Sequence, residues 1–103
     1  MELNQVTEIL IEFRDRRNWR KYHTPKNLAV SVAIEVGELL ELFQWKSDAE
    51  IEELLRDENY RNRVGEEIGD VLIYLLTLAH ECDIDIEKAI MEKIRKNEEK
   101  YPV

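Results

Sequence analysis

Cysteine, proline and glycine are nearly missing from this 103-residue chain, which has one, two and three of them. A single cysteine, Cys82, excludes an intrachain disulfide, and a reducing, cytoplasmic setting fits. Acids flank Cys82, and His80 is the only basic side chain near it, so it reads as a buried structural thiol rather than a nucleophile. So few prolines and glycines leave no flexible linker and few helix breakers. With abundant Leu, Ile, Glu, Lys and Arg, this predicts an all-α chain forming one domain over residues 1–103. No apolar run is long and charge-free enough to cross a bilayer, and no signal peptide precedes the first predicted helix. Positive charge is also short, with 15 basic against 23 acidic residues and a net charge of −8. That balance argues against duplex nucleic acid or an anionic membrane as the main partner. A small anionic substrate stays open if metal ions screen the acids.

What is present is one short pattern, twice. Residues 35–40 read Glu-Val-Gly-Glu-Leu-Leu, and residues 67–72 read Glu-Ile-Gly-Asp-Val-Leu. Each copy puts two carboxylates at i and i+3, on one helix face and about 4.5 Å apart along the axis. Each copy lies inside an apolar run, Leu28 to Phe43 and Ile68 to Ala79. Glu35 and Glu38 fall in the stripe that holds Leu28, Val32, Leu39 and Leu42. Acids at such positions are costly unless a metal or an opposite charge compensates them. Four of them, from two helices, make a site for a hard divalent cation. Gly37 and Gly69 occupy equivalent places in the two copies and suggest close approach of a helix or ligand. The bland alternative, acids on a solvated helix face, suits Glu50, Glu52 and Glu53 better than these four.

Taken in order, the pattern predicts helices over about 2–19, 25–45 and 49–57, a fourth that starts near Glu58 to Arg61 and runs to about 81, and a fifth over about 86–100. In the first, Leu3, Val6, Leu10 and Phe13 form the apolar stripe, with Ile9 beside them. A basic and aromatic segment follows, from Arg14 through Trp19 and Tyr22 to His23. It is either a solvated helix end or an edge that touches phosphate and base. Thr24-Pro25 and Ser47-Asp48 read as helix starts, and Asp83 or Asp85 as the cap of the last helix. The fourth helix carries Val64, Ile68, Val71, Leu72, Leu75, Leu76 and Ala79 on one stripe, with Glu67, Asp70 and Tyr74 on the next. In the last helix Ile86, Ala89, Ile90 and Ile94 are the apolar side, and Lys93, Lys96, Asn97 and Lys100 the polar one. Long Leu-rich helices with one short extra helix predict a four-helix-bundle core. Its leftover apolar surface predicts a homo-oligomer, without separating dimer from tetramer.

The chemistry narrows by elimination. A carboxylate-bridged di-iron centre needs Glu-x-x-His on two helices, and neither His23 nor His80 follows a glutamate by three. Paired carboxylates for glycoside cleavage need a sugar cleft that a small bundle does not offer. Mg²⁺ takes oxygen ligands and binds alongside substrate phosphates, so ions among Glu35, Glu38, Glu67 and Asp70 would clamp a phosphoanhydride. Mn²⁺ is a possible substitute. Helix-5 lysines would neutralise phosphate charge, and Trp19, Tyr22, Trp45 and Tyr74 offer flat faces for a base or for packing. The alternative function is a non-catalytic helical oligomerisation module with a structural cation site.

Several segments together resemble the MazG-like nucleoside triphosphate pyrophosphohydrolases of the all-alpha pyrophosphatase superfamily. They are Asn18-Trp19 with Tyr22-His23, Pro25-x-Asn27-Leu28, the run from Glu35 through Phe43-Gln-Trp45, Glu67-x-x-Asp70-Val-Leu-Ile-Tyr74, and Asn97-x-x-Lys100-Tyr101-Pro102. The likeness covers about Phe13 to Pro102 and is greatest to the dCTP pyrophosphatase type. It implies Mg²⁺-dependent cleavage of dCTP or a related pyrimidine nucleotide to monophosphate and pyrophosphate. It implies Glu35, Glu38, Glu67 and Asp70 as metal-binding and catalytic residues. It places Trp19, Tyr22, His23, Trp45 and Tyr74 at the nucleotide, with Lys93, Asn97 and Lys100 near the phosphates. It also implies a dimer or dimer-based tetramer, the tetramer favoured. One position departs from the animal pattern: a histidine expected on the first helix is Leu10 here, which bears on base preference.

Overall fold

The computed structural model describes residues 2–103. Five α-helices and one short 3-10 turn make up the regular structure of these residues, with no strand among them. They are α1 (Leu3–Arg16), the 3-10 turn (Arg20–Tyr22), α2 (Pro25–Glu41), α3 (Asp48–Leu54), α4 (Glu58–Glu81) and α5 (Ile86–Lys100). No helix of the described residues is long and apolar enough to cross a membrane.

Helix ends follow local chemistry. α1 stops at Arg16 rather than running to residue 19, because Asn18 turns left-handed (φ 56°). The Trp19 N–H then reaches the Arg14 carbonyl at 3.3 Å and the Asn18 N–H the Asp15 carbonyl at 3.1 Å. This is the pairing of a Schellman C-cap, with asparagine where glycine is usual. α4 ends the same way. Asp83 is left-handed (φ 56°), Ile84 bonds back to Ala79 at 2.8 Å and Asp83 to His80 at 3.1 Å. Asp83 and Asp85 thus share the work expected of one cap: Asp83 closes α4, and Asp85 opens α5 by accepting from the Lys88 N–H at 3.2 Å. α2 ends four residues short of Trp45 in a series of tight turns over 39–46. α3 begins on a reciprocal capping box between Ser47 and Glu50 and ends at Leu54, short of the expected 57.

The chain forms two compact units: residues up to Pro25 with Leu76–Val103, and Lys26–Leu75. In the first, α1 packs on α5, and the Leu3 N–H donates to Glu87 Oε1 at 2.7 Å. Leu76, Thr77 and Ala79 are buried there, and so is Arg14. Arg14 Nη1 meets Glu81 Oε1 at 2.5 Å and its Nε meets Asp15 Oδ1 at 3.0 Å. The expected α1 stripe therefore shifts at its end. Phe13 faces out and Arg14, read from sequence as part of a positive patch, is enclosed as an ion pair.

In the second unit Leu28, Leu42 and Tyr60 are buried. The Tyr60 hydroxyl donates to the Leu42 carbonyl at 2.6 Å, and its ring meets Phe43 edge-on at 6.3 Å between centroids. That bond satisfies a carbonyl released by the end of α2 and joins α2 to the start of α4. One expectation fails. Cys82 is exposed, because α4 ends beside it and turns away. A Cβ added at Gly37 or Gly69 would meet nothing within 4 Å, so no close contact within the chain requires glycine there.

Candidate metal centre

The Lys26–Leu75 unit brings the two acid pairs together. α2 presents Glu35 and Glu38, α4 presents Glu67 and Asp70, and one carboxylate oxygen from each lies within 4.8 Å of the others. Glu35, Glu67 and Asp70 are half-buried, while Glu38 is exposed. The i, i+3 spacing aligns each pair on its own helix. The α2–α4 link at Tyr60 and Leu42 belongs to the same unit.

The electrostatics of the quartet are those of crowded like charges. The Glu35 carboxyl is pushed up to about 7 from 4.5. A hydrogen bond to Glu38 is the largest cause, followed by burial and by the charges of Glu38, Asp70 and Glu67. Glu67 is raised as well, by burial first and then by Glu38, Asp70 and Glu66, while Arg63 opposes the shift. The Oε2 atoms of Glu35 and Glu67 are enclosed and have no hydrogen-bond partner. Enclosed acceptors without donors are costly, and four oxygen donors with excess negative charge suit a hard divalent cation. The residues fit such an ion. Bound there, it would supply charge neutralisation and a Lewis acid.

The remaining expected residues are distributed as follows. Trp45 and Tyr74 lie in the unit that carries the acids; Tyr74 is half-buried one turn beyond Asp70, and Trp45 is 86% exposed. Trp19, Tyr22, His23, Lys93, Asn97 and Lys100 lie in the other unit. There Trp19 and Tyr22 are exposed, His23 is half-buried, and the three α5 residues are exposed. Burial, aided by the Arg14 guanidinium and opposed by Glu81, holds the His23 imidazole below its usual 6.5, so it is neutral near pH 7. Arg63 was not singled out from sequence. Its spacing of four residues before Glu67 was the available signal. Nothing in the pattern marked the Arg14–Glu81 pair, whose members lie 67 residues apart.

Fold and site define a class: an all-α protein whose helix-borne carboxylates converge closely enough that they could hold a divalent cation. The model of the MazG-like family matches residues 30–103, and the chain belongs to that family. It is 43% identical over 101 residues to rat dCTP pyrophosphatase 1, covering 98% of this chain and 59% of that protein. It is 40% identical to human dCTP pyrophosphatase 1, covering 97% of this chain. The chain spans 59% of the length of the human relative too. A crystal structure of a pyrophosphatase from Archaeoglobus fulgidus superposes with a TM-score of 0.88 at 54% identity. That match covers 97% of this chain and 92% of the archaeal one.

Proposed function

We propose that this chain hydrolyses a deoxynucleoside triphosphate, dCTP or a related pyrimidine nucleotide, to the monophosphate and pyrophosphate. The cation is Mg²⁺, for which Mn²⁺ can substitute, held by Glu35, Glu38, Glu67 and Asp70. The observation that carries the reading is the convergence of those four acids within 4.8 Å, two with enclosed and unpartnered oxygens. The name shared by the rat and human relatives supports the reaction and the base. Leu10, where a histidine is expected in the animal pattern, leaves room for a different pyrimidine. An Mg²⁺ ion bound here would lower the barrier to attack by water on the phosphoanhydride and neutralise charge on the leaving pyrophosphate.

The chain's own residues do the rest. With a cation bound, Glu35 and Glu67 would favour their ionised carboxylates over the protonated forms that their crowding favours. Trp19, Tyr22, His23, Trp45 and Tyr74 bind and orient the nucleoside. A neutral His23 accepts or donates one hydrogen bond without adding charge. Lys93, Asn97 and Lys100 meet the phosphates. No covalent enzyme intermediate forms. The setting is cytoplasmic, and the task is upkeep of the nucleotide pool.

The active form is a homo-oligomer, a dimer-based tetramer. Support comes from apolar stripes left exposed in the single chain: Val30, Ile34 and Leu40 on α2, and Ile68, Leu72 and Leu75 on α4. These are faces that water disfavours and a second copy would cover.

The test is a product assay with canonical and modified nucleoside triphosphates, with Mg²⁺ and with chelator. Monophosphate plus pyrophosphate, only with metal, supports the reaction, and the panel decides the base. Diphosphate plus phosphate would move the cut to the terminal phosphate. No product from any nucleotide would favour a helical association module instead.

A further inference from the structure

We propose that Phe13 and Arg17 are positioning residues that hold the Trp19 ring as a preset stacking face for the nucleobase. The inference rests on the nucleotide reading above and adds to it two residues that the motif does not include. All the contacts that support it lie within the unit containing α1.

Trp19 follows the left-handed Asn18, and its N–H is tied to the Arg14 carbonyl. That fixes the main chain and leaves the indole torsions free. The side-chain contacts supply the rest. The Phe13 ring meets the indole edge-on, with centroids 5.8 Å apart and planes at 73°. The Arg17 guanidinium carbon lies 3.6 Å from the Phe13 centroid and 5.9 Å from that of Trp19. Its Nη1 donates to the Phe13 carbonyl at 2.8 Å, which pins the guanidinium over the ring. Phe13 and Trp19 are 46% and 43% exposed. Three exposed side chains would each sample several rotamers; here each is held by its neighbour. A stacking face fixed before the ligand arrives loses less freedom on binding. The arrangement also explains why a large apolar residue in the last turn of α1 points outward.

The test is a double-mutant cycle on the whole protein, with Arg17→Ala, Trp19→Ala and the pair. Nucleoside triphosphate affinity is read by titration, and KM and kcat by turnover. Inorganic tripolyphosphate serves as a probe with no base. Arg17→Ala is expected to weaken nucleotide binding about fivefold, with kcat altered less than about twofold. Arg17→Lys is expected to recover part of the loss. In the Trp19→Ala background Arg17→Ala should add nothing, and tripolyphosphate binding should not change. In free Arg17→Ala the indole N–H of Trp19 should show a lower heteronuclear NOE, a readout that needs no activity.

Equal weakening of tripolyphosphate, or full additivity with Trp19→Ala, would make Arg17 a phosphate contact and overturn the proposal. An Arg17→Ala protein that binds nucleotide normally while Trp19→Ala does not would overturn it and leave the nucleotide reading intact. Trp19→Ala without effect on any nucleotide would remove both the clamp and the nucleoside role of Trp19.

Discussion

At the residue scale the quartet of acids sets the behaviour. Replacing Glu38 or Asp70 by alanine removes one of four oxygen donors while touching little of the buried core. Turnover with Mg²⁺ is expected to fall at least about a hundredfold while the helical circular dichroism stays as it was. Full activity in either variant would undo the metal assignment. The raised Glu35 carboxyl has a sign that can be checked. Its folded value of about 7 lies above the ordinary 4.5, so the folded state holds the proton more tightly. Its stabilising contribution is complete below the ordinary value and is lost as pH rises from about 4.5 through 7. In chelator, the melting temperature of the native chain minus that of Glu35→Gln should therefore fall across that window. Saturating Mg²⁺ should reverse the trend by favouring the ionised carboxylates. A difference that rises with pH in chelator would contradict the crowding of like charge. The identities and spacing of the four acids were legible because a helix fixes i and i+3 on one face. The pKa shifts were not, because they depend on approach between two helices.

At the scale of elements, the few glycines have a consequence. None of the three takes a positive φ, and the left-handed ends of α1 and α4 fall to Asn18 and Asp83. Asn18→Ala should lower stability by about 1 kcal/mol in denaturant melts, and Asn18→Gly should not. Equal stability of the two variants would mean that the cap geometry carries no strain. Arg14 and Glu81 join the last turn of α1 to the last turn of α4, with Arg14 3% and Glu81 15% exposed at the side chain. Arg14→Leu leaves Glu81 enclosed without its cation and should cost roughly 3 kcal/mol, more than truncating both partners together. A single variant no less stable than the double would show that the pair is not buried in effect. Helix number and kind were legible from period and breakers, and most boundaries came within a few residues. The misplaced ends were those closed by Asn18, by the turns after Glu41 and by the turn after Leu54. There, hydrogen bonds to carbonyls three to five residues back overrode helix propensity.

At the scale of the whole molecule, the single chain leaves Ile34 and Leu40 of α2 and Ile68 and Leu72 of α4 open to solvent. For the proposed oligomer, light scattering after gel filtration should give a mass above that of the 12.3 kDa chain. Ile34→Asp or Leu72→Glu should lower that mass, because a charge buried in an apolar interface is expensive. A native chain that runs as a monomer at micromolar concentration would rule out the oligomer. The open space around Gly37 gives a companion observation, since alanine there should favour the isolated helix by about 1 kcal/mol. Loss of assembly in Gly37→Ala would mean that a second copy needs the room.

The sequence by itself determined the local matters: an all-helical chain, the starts of its helices, and two acid pairs each aligned on its own helix face. These follow from contacts within four residues, where covalent spacing dictates geometry. The likeness to a known family was legible for the same reason, since motifs are local strings. Only the tertiary structure decided that the pairs from α2 and α4 meet within 4.8 Å, that Arg14 is buried against Glu81, and that Phe13 turns outward to Arg17 and Trp19. Each of those depends on the packing of groups the helical period alone does not place together. A periodic pattern shows that a side of a helix is apolar. It does not show which neighbour covers that side, nor which charge is enclosed beneath it.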